Sequence, residues 1–386
     1  MPRVAVIGAG KIGYRIIWEL AGLGYDVSVA DARSEAVDRV SRELGVDGIV
    51  ADATSVSSLK RAVTGADIVV SALPGSIGYR ALELLMDMGA DIVDISFYRE
   101  DPSVLSPKAE KEGITVVVDA GVAPGLSNML VGYSDRSLEG LKGARIFVGG
   151  VSRDPQAPLG LALTWSLEDL IDEYLRPARM IKNGRLVTVD PLAITGRINV
   201  PGLGVMEFFP TDGLRSLIKT YKGVEELVEY TLRWPGHVAA MKSFRGIGLM
   251  NEDHMAIKGC VVRPRDFLAK LIERNIASSE DLVVLLVEAW GRRGRVLHKS
   301  IVEPRDRWTA MARATAGFAV AAVKAIADGI LRGPGIVYPE MLGSDDRVRE
   351  AILAYLRDKG VSVHTSWGEE LIFHISEKPL PSGFLP

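Results

Sequence analysis

Residues 3–13 read RVAVIGAGKIG, and this run decides the fold. Residues 3–7 form a short apolar strand, and Gly8, Gly10 and Gly13 then stand in G-x-G-x-x-G spacing. A glycine triplet alone says little; its flanks carry the meaning. This one follows a strand, opens a helix expected over 11–23, and is answered by Asp31 at the end of a second strand (26–30), eighteen residues past Gly13. Gly8 permits the tight turn, Gly10 lets the backbone approach a pyrophosphate, and Gly13 lets helix pack on strand. The helix start at Lys11 and Ile12 favours negative charge. Asp31 would accept hydrogen bonds from an adenosine ribose and repel a 2′-phosphate, so NAD is expected over NADP. Beyond Ala32, Arg33 is within reach of a 2′-phosphate and keeps NADP possible. A glycine turn without a ligand is the other reading.

Outward from this loop the first third alternates. Apolar strands are expected at 26–30, 48–51, 67–72, 91–95 and 115–119, and helices at 34–44, 56–64, 77–88 and 106–112. Continuous Val, Ile and Ala in the strands is the pattern of a parallel sheet buried on both faces, hence a doubly wound Rossmann domain. Asp52 and Ala53, after the third strand, fall where adenine is flanked. Ala72, Leu73 and Pro74 end the fourth strand at the carboxyl edge where ligands lie, although an ordinary strand–helix turn reads the same way. After about residue 125 the pattern changes. Strands at 185–189, 196–200, 228–233, 255–262 and 281–290, with short helices at 166–174, 214–218 and 265–274, suit an α+β domain with a mostly antiparallel sheet. An Ala-rich helix, 311–331, is expected to return to the first domain. The expected organisation is a Rossmann domain over 1–125 completed by about 305–345, an α+β substrate-binding and dimerisation domain over 126–304, and a C-terminal helix and tail over 346–386. The Pro-rich end, KPLPSGFLP (378–386), is expected to be ordered only by contacts.

The 386 residues carry a net charge of -3, which gives no reason to expect nucleic acid or an anionic membrane as partner. One cysteine, Cys260, excludes an internal disulfide and fits a reducing cytoplasm. No signal peptide and no spanning helix are expected. Five Asn and one Gln (Gln156) are few, which leans toward a thermophilic source; GC-biased codon usage gives the same skew. Histidines lack paired spacing and carboxylates form no cluster, so no metal is expected.

The segment 119–128, DAGVAPGLSN, resembles the D-x-G-x-x-P-G-[LM] segment of the saccharopine dehydrogenase-like family, with Gly121 at its glycine. FVGG (147–150), WSLE (165–168), TLRWPGH (231–237) and MARATA (311–316) look like that family's lysine 6-dehydrogenase branch. The resemblance runs to about Pro339. It implies oxidation at an amine carbon of an amino acid, first of all the ε-amine of L-lysine with NAD, by a homodimer. Relatives make or split saccharopine, or act on other amines. At 94–101 the chain reads DISFYRED where lysine dehydrogenases often carry Gly-Gly-His, which puts the substrate in question.

Hydride transfer asks little of the protein beyond placement, but loss of the amine proton and activation of water call for a base. His237, in the TLRWPGH segment, is the first candidate; a hydrogen-bonding structural histidine is the alternative. Asp94 and Asp119, near strand ends, would hold a substrate ammonium or else cap their turns. An α-carboxylate calls for arginine, and Arg233 and Arg313 are the candidates. Thr164, Thr211 and Asp212 are polar groups that would hydrogen-bond substrate. Trp165, Trp234 and Trp290 read as core or dimer contacts. Two other classes stay open: a regulatory nucleotide sensor and an assembly protein that has lost activity.

Overall fold

The computed structural model describes residues 1–276 and 280–377. The chain divides into two compact units, 1–137 with 305–363 and 138–304 with the residues from 364 on.

In the first unit, strands β1 (Arg3–Ile7), β2 (Asp26–Asp31), β3 (Asp47–Val50), β4 (Ile68–Ser71), β5 (Asp91–Asp94) and β6 (Thr115–Val117) alternate with helices α1 (Lys11–Gly22), α2 (Ser34–Leu44), α3 (Val56–Ala62), α4 (Gly75–Leu85) and α5 (Ser106–Glu112). The sheet order is Gly335–Val337, β6, β5, β4, β1, β2, β3. Every pairing is parallel. Val4, Val6, Val69 and Val70 are wholly buried, as a sheet covered by helices on both faces requires. This is the doubly wound fold expected. The strand order reverses between β1 and β4, and the crevice above their carboxyl ends is where such folds hold ligands.

The division differs from the expected one at two helices. The helix α6 (Leu126–Ser137) belongs to the first unit because it packs on Pro339–Ser344 with almost no side chain between. A Cβ on Gly132 would stand 2.0 Å from Glu340 O, and one on Gly343 1.9 Å from Met129 O. The helix Asp346–Asp358 also joins the first unit, where the Tyr355 hydroxyl donates to the buried Glu19 of α1. Between them runs Ala310–Ala327, capped by the Thr309 hydroxyl, which accepts from Ala312 N–H (3.1 Å). It is long and apolar enough to cross a membrane, but 78% of it is buried, and packing against α1 and Asp346–Asp358 accounts for its composition.

In the second unit the order is His364–Trp367, β16 (Gly294–Val302), β15 (Asp281–Gly291), β7 (Leu141–Ser152), β12 (Glu226–Arg233), β11 (Gly204–Pro210), β10 (Ile194–Val200), Phe373–Glu377. Strands β8 (Ala178–Lys182) and β9 (Arg185–Val189) pair with each other, and β8 also with β12. Only β7 with β12 is parallel among these pairs. The strand expected over 255–262 is instead a hairpin of β13 (Met255–Ile257) and β14 (Cys260–Val262), since Lys258 and Gly259 both take positive φ (47° and 85°), as a tight two-residue turn demands. The expected tail holds two edge strands, and the Pro-rich segment 378–386 lies outside the described residues.

Candidate functional site

The glycine loop gives each glycine a distinct reason. Gly8 has φ +105°, and a Cβ there would stand 2.3 Å from Ala72 O; a Cβ on Gly13 would stand 1.9 Å from Gly8 O. The chain's own packing excludes side chains at both. At Gly10 the backbone is ordinary (φ −70°) and, beyond its chain neighbours and its own helix, nothing among the described residues lies within 4 Å of a Cβ. Gly10 is the N-cap of α1 and itself brings no side-chain cap, with Lys11 and Ile12 in the first turn. The open cradle at a helix N-terminus fits a pyrophosphate.

Asp31 closes the loop from the end of β2. Its Oδ2 accepts from Ala9 N–H (2.7 Å), and its Oδ1 accepts from Arg33 N–H (2.9 Å) and Arg33 Nε (3.1 Å). Burial opposes ionisation of Asp31, but the hydrogen bonds from Arg33 and Ala9 outweigh it and hold the carboxyl below its usual range. Arg39, on α2, donates to Ala9 O (3.3 Å) and lies over the Tyr14 ring. Ala32 joins Asp31 to Arg33. Asp52 is spent on its own turn, accepting from Thr54 N–H (2.8 Å) and Oγ1 (2.7 Å), with Ala53 buried beside it. Ala72 N–H donates to Ile7 O (2.8 Å), and Leu73 and Pro74 lead into α4.

Along the same edge, Asp94 ends β5 and Asp119 lies two residues beyond the neighbouring β6. Asp94 is wholly buried; its Oδ1 accepts from Ser96 Oγ (2.7 Å) and N–H (3.2 Å), and Oδ2 has no hydrogen-bond partner among the described residues. Burial, with the Asp119 charge adding to it, pushes Asp94 up to about 6 against the hydrogen bonds from Ser96 and Ser71. Asp119 takes φ +53°, a conformation that short Asp side chains tolerate, and its carbonyl receives Gly121 N–H (2.9 Å). Gly121 and Gly125 touch backbone to backbone, a Cβ on Gly125 standing 1.9 Å from Gly121 O, so this turn admits glycine alone there.

The second unit holds a buried polar relay. His237 closes the Pro235-Gly236 turn after β12, its N–H donating to Trp234 O (3.2 Å), and opens the helix His237–Gly246. Its Nδ1 is 2.8 Å from Leu159 O; a carbonyl only accepts, so Nδ1 carries the proton and Nε2 accepts from the Tyr174 hydroxyl (2.8 Å). Burial and the Arg233 charge push His237 down to about 3. Both nitrogens are thus engaged on a neutral, buried ring, unlike the open base expected. Arg233 is itself buried. It donates to the Tyr174 hydroxyl (3.4 Å), Leu232 O (2.9 Å) and the Glu173 carboxylate, so its fork is turned inward rather than offered to a carboxylate ligand. Burial raises Tyr174 to about 12.

The remaining candidates scatter. Arg313 donates to Lys359 O (2.9 Å), tying down the carbonyl end of Asp346–Asp358. Asp212 is in a bidentate pair with Arg179 (2.7 and 2.9 Å). Thr211 Oγ1 bonds Glu229 (3.0 Å) and Thr231 (2.9 Å). The Thr164 hydroxyl is buried with no hydrogen-bond partner among the described residues. Trp234 Nε1 donates to Ser152 O (2.8 Å), and Arg145 covers Trp290. Among the described residues no cluster of three His, Cys, Asp or Glu is placed to hold a metal. Sequence reading missed Glu173, Tyr174 and Ser96. Ser96 carried a signal, an Asp two residues before a Ser at a strand end.

Residues 4–117 match the family model described as the saccharopine dehydrogenase NADP binding domain, and residues 121–361 match the saccharopine dehydrogenase C-terminal domain. The NADP-dependent, L-glutamate-forming saccharopine dehydrogenase of Saccharomyces cerevisiae is 24% identical over 297 residues, covering 72% of this chain and 66% of that protein. The mitochondrial alpha-aminoadipic semialdehyde synthase of Rattus norvegicus is 23% identical over 267 residues, 65% of this chain and 29% of that protein. The chain therefore spans less than two thirds of the length of these relatives. Apo saccharopine dehydrogenase (L-Glu forming) from Saccharomyces cerevisiae shares the fold with a TM-score of 0.79 at 20% identity, covering 95% of this chain and 99% of that one. With matched models over both halves of its length and this fold, the chain belongs to the saccharopine dehydrogenase family.

Proposed function

We propose that the chain is a nicotinamide-dependent oxidoreductase acting at a carbon–nitrogen bond of an amino acid. The observation that carries this is the open cradle at Gly10, at the N-terminus of α1, in a chain of this family. A bound nicotinamide dinucleotide would supply the hydride acceptor. The amides of α1 would hold its pyrophosphate, and Asp31 and Arg33 would meet the adenosine ribose. Asp94 would hold a proton near pH 6 at the carboxyl edge of the sheet. The Tyr174–His237 pair would position its loop through Leu159 rather than exchange protons with water.

The relatives and the family description favour NADP over the NAD expected from Asp31, and Arg33, 64% exposed, is the group that would meet a 2′-phosphate. An anionic Asp31 supports NAD as the second reading. For substrate, the resemblance to lysine 6-dehydrogenases favours L-lysine. The second reading is saccharopine, which the relatives' names favour. The test is absorbance of the reduced nicotinamide, with NAD or NADP, against L-lysine, saccharopine, ornithine, diaminopimelate and polyamines. Signal with L-lysine alone supports the first substrate, and signal with saccharopine alone the second. Silence across the panel despite dinucleotide binding would sink the oxidoreductase reading. The proposal includes a homodimer, expected from the resemblance and checked by light scattering in solution, in the reducing cytoplasm expected from the single cysteine.

A further inference from the structure

The first unit has a second concave surface, at the opposite edge of the parallel sheet from the glycine loop. Asp91 and Thr115 begin β5 and β6, and the helix Ala310–Ala327 ends beside them. Together with the turn 328–334 they line a cleft of about 400 Å³, a size that suits a small metabolite. All of its lining belongs to the first unit. Two charges of opposite sign meet there. Asp91 Oδ1 accepts from Thr115 N–H (2.7 Å), and the Thr115 hydroxyl donates to Gly333 O (3.0 Å), next to Arg332. Thr115 thus ties the Asp91 carboxylate and the Arg332 turn to one strand end. Arg332 is folded onto its own turn: Nε donates to Gly329 O (2.8 Å), and a Cβ on Gly329 (φ +65°) would stand 2.3 Å from Nη2. Neither Asp91 nor Arg332 has an ion-pair partner among the described residues. Asp328, the other acid of the cleft, has one in Lys324 (2.6 Å).

These are the groups that the two ends of a zwitterion require. An ammonium is favoured at Asp91, because the carbonyl end of Ala310–Ala327, the negative end of the helix dipole, adds to the carboxylate. A carboxylate is favoured at Arg332, whose planar fork can pair with it bidentately. A phosphate would be repelled by Asp91, and a simple amine would leave Arg332 unused. The lining also carries apolar side chains, from Ile326, Ala327, Leu331 and Pro334. We infer that this cleft binds an aliphatic α-amino acid, as a second ligand site separate from the dinucleotide crevice.

The test is calorimetric titration of the full chain with L-leucine, with isopentylamine, which lacks its carboxylate, and with 4-methylpentanoate, which lacks its ammonium. L-Leucine should bind, and each one-armed analogue at least about tenfold more weakly, the loss of one charge-assisted contact. Arg332→Gln should weaken L-leucine about tenfold while isopentylamine changes by less than about twofold. Asp91→Asn, which keeps an acceptor for Thr115 N–H, should weaken L-leucine and spare 4-methylpentanoate. Arg332 is exposed, so Arg332→Gln should melt within about 2 °C of wild type. A larger fall in the melt, together with lost binding, would make Arg332 a support of the fold and overturn the site. L-Leucine binding that neither variant weakens would lie elsewhere and overturn it too. No binding of L-leucine at about 10 mM, or equal binding of isopentylamine, would overturn the amino-acid assignment.

Discussion

Gly10 is a glycine that the protein itself does not need. Its φ suits any residue and, beyond its chain neighbours and its own helix, no described atom lies within 4 Å of a Cβ, so Gly10→Ala should change the thermal midpoint by less than about 2 °C. The methyl group would occupy the place of the pyrophosphate, and dinucleotide affinity should fall at least about tenfold. Gly8→Ala should do the reverse. A positive φ and an overlap with Ala72 O cost roughly 2 kcal/mol of stability or more, read by denaturant unfolding. Asp94 makes a second prediction at this scale. Its carboxyl is raised from 3.8 to about 6, so both folded and unfolded states are protonated below 3.8. As pH rises from there, the unfolded state loses a proton that the fold retains. Stability is therefore lost between about pH 4 and 6, by up to about 3 kcal/mol, and then levels off. Asp94→Asn does not titrate, so its unfolding free energy relative to wild type should rise across that window. A difference flat from pH 4 to 8 would show that Asp94 is ionised in the fold.

At the scale of elements, the relay from Glu173 through Arg233 and Tyr174 to His237 joins the helix Leu167–Asp172, strand β12 and the helix His237–Gly246 around the core of the second unit. Removing Arg233 alone strands a carboxylate in a largely buried place, at about 3–5 kcal/mol, whereas an Arg233→Met, Glu173→Gln double variant should recover much of that. His237 carries the pH signature. Its folded value of about 3 lies below the ordinary 6.5, so its contribution is present above pH 6.5 and is lost progressively as pH falls toward 3. His298, lowered to about 4 by burial, acts in the same direction. Between pH 6.5 and 4.5 the urea midpoint of wild type should fall more steeply than that of His237→Gln; parallel slopes would mean the ring is charged in the fold. None of this relay is visible in sequence, because its partners lie 59 to 78 residues apart and meet only through the sheet. Strands β1 and β4 were legible because burial on both faces leaves unbroken apolar runs. His364–Trp367 was not, being a wholly exposed edge whose side chains carry no pattern. The hairpin at Lys258–Gly259 was legible in principle, since glycine inside an apolar run marks a turn.

For the whole molecule, the fold class and the geometry of the glycine loop followed from local spacing, while the limits of the units did not. The chain passes between units after 137, 304 and 363, and the residues that assign α6 and Asp346–Asp358 to the first unit, Gly132 against Glu340 and Glu19 against Tyr355, are more than 200 residues apart. That arrangement makes the first unit a discontinuous module completed by its C-terminal segment, and it carries the last prediction. A dinucleotide held at the α1 N-terminus stabilises only states in which this module is folded, by about 2.7 kcal/mol at one hundred times the dissociation constant. Hydrogen exchange with saturating dinucleotide should therefore slow at the amides of 9–14 and 31–33. It should slow equally in the core of Ala310–Ala327, although no residue there belongs to the glycine loop, because that helix packs on α1 and must open with it. Slowing confined to 9–14 and 31–33 would mean that the C-terminal segment opens independently, and that residues 1–137 form the folding unit without it.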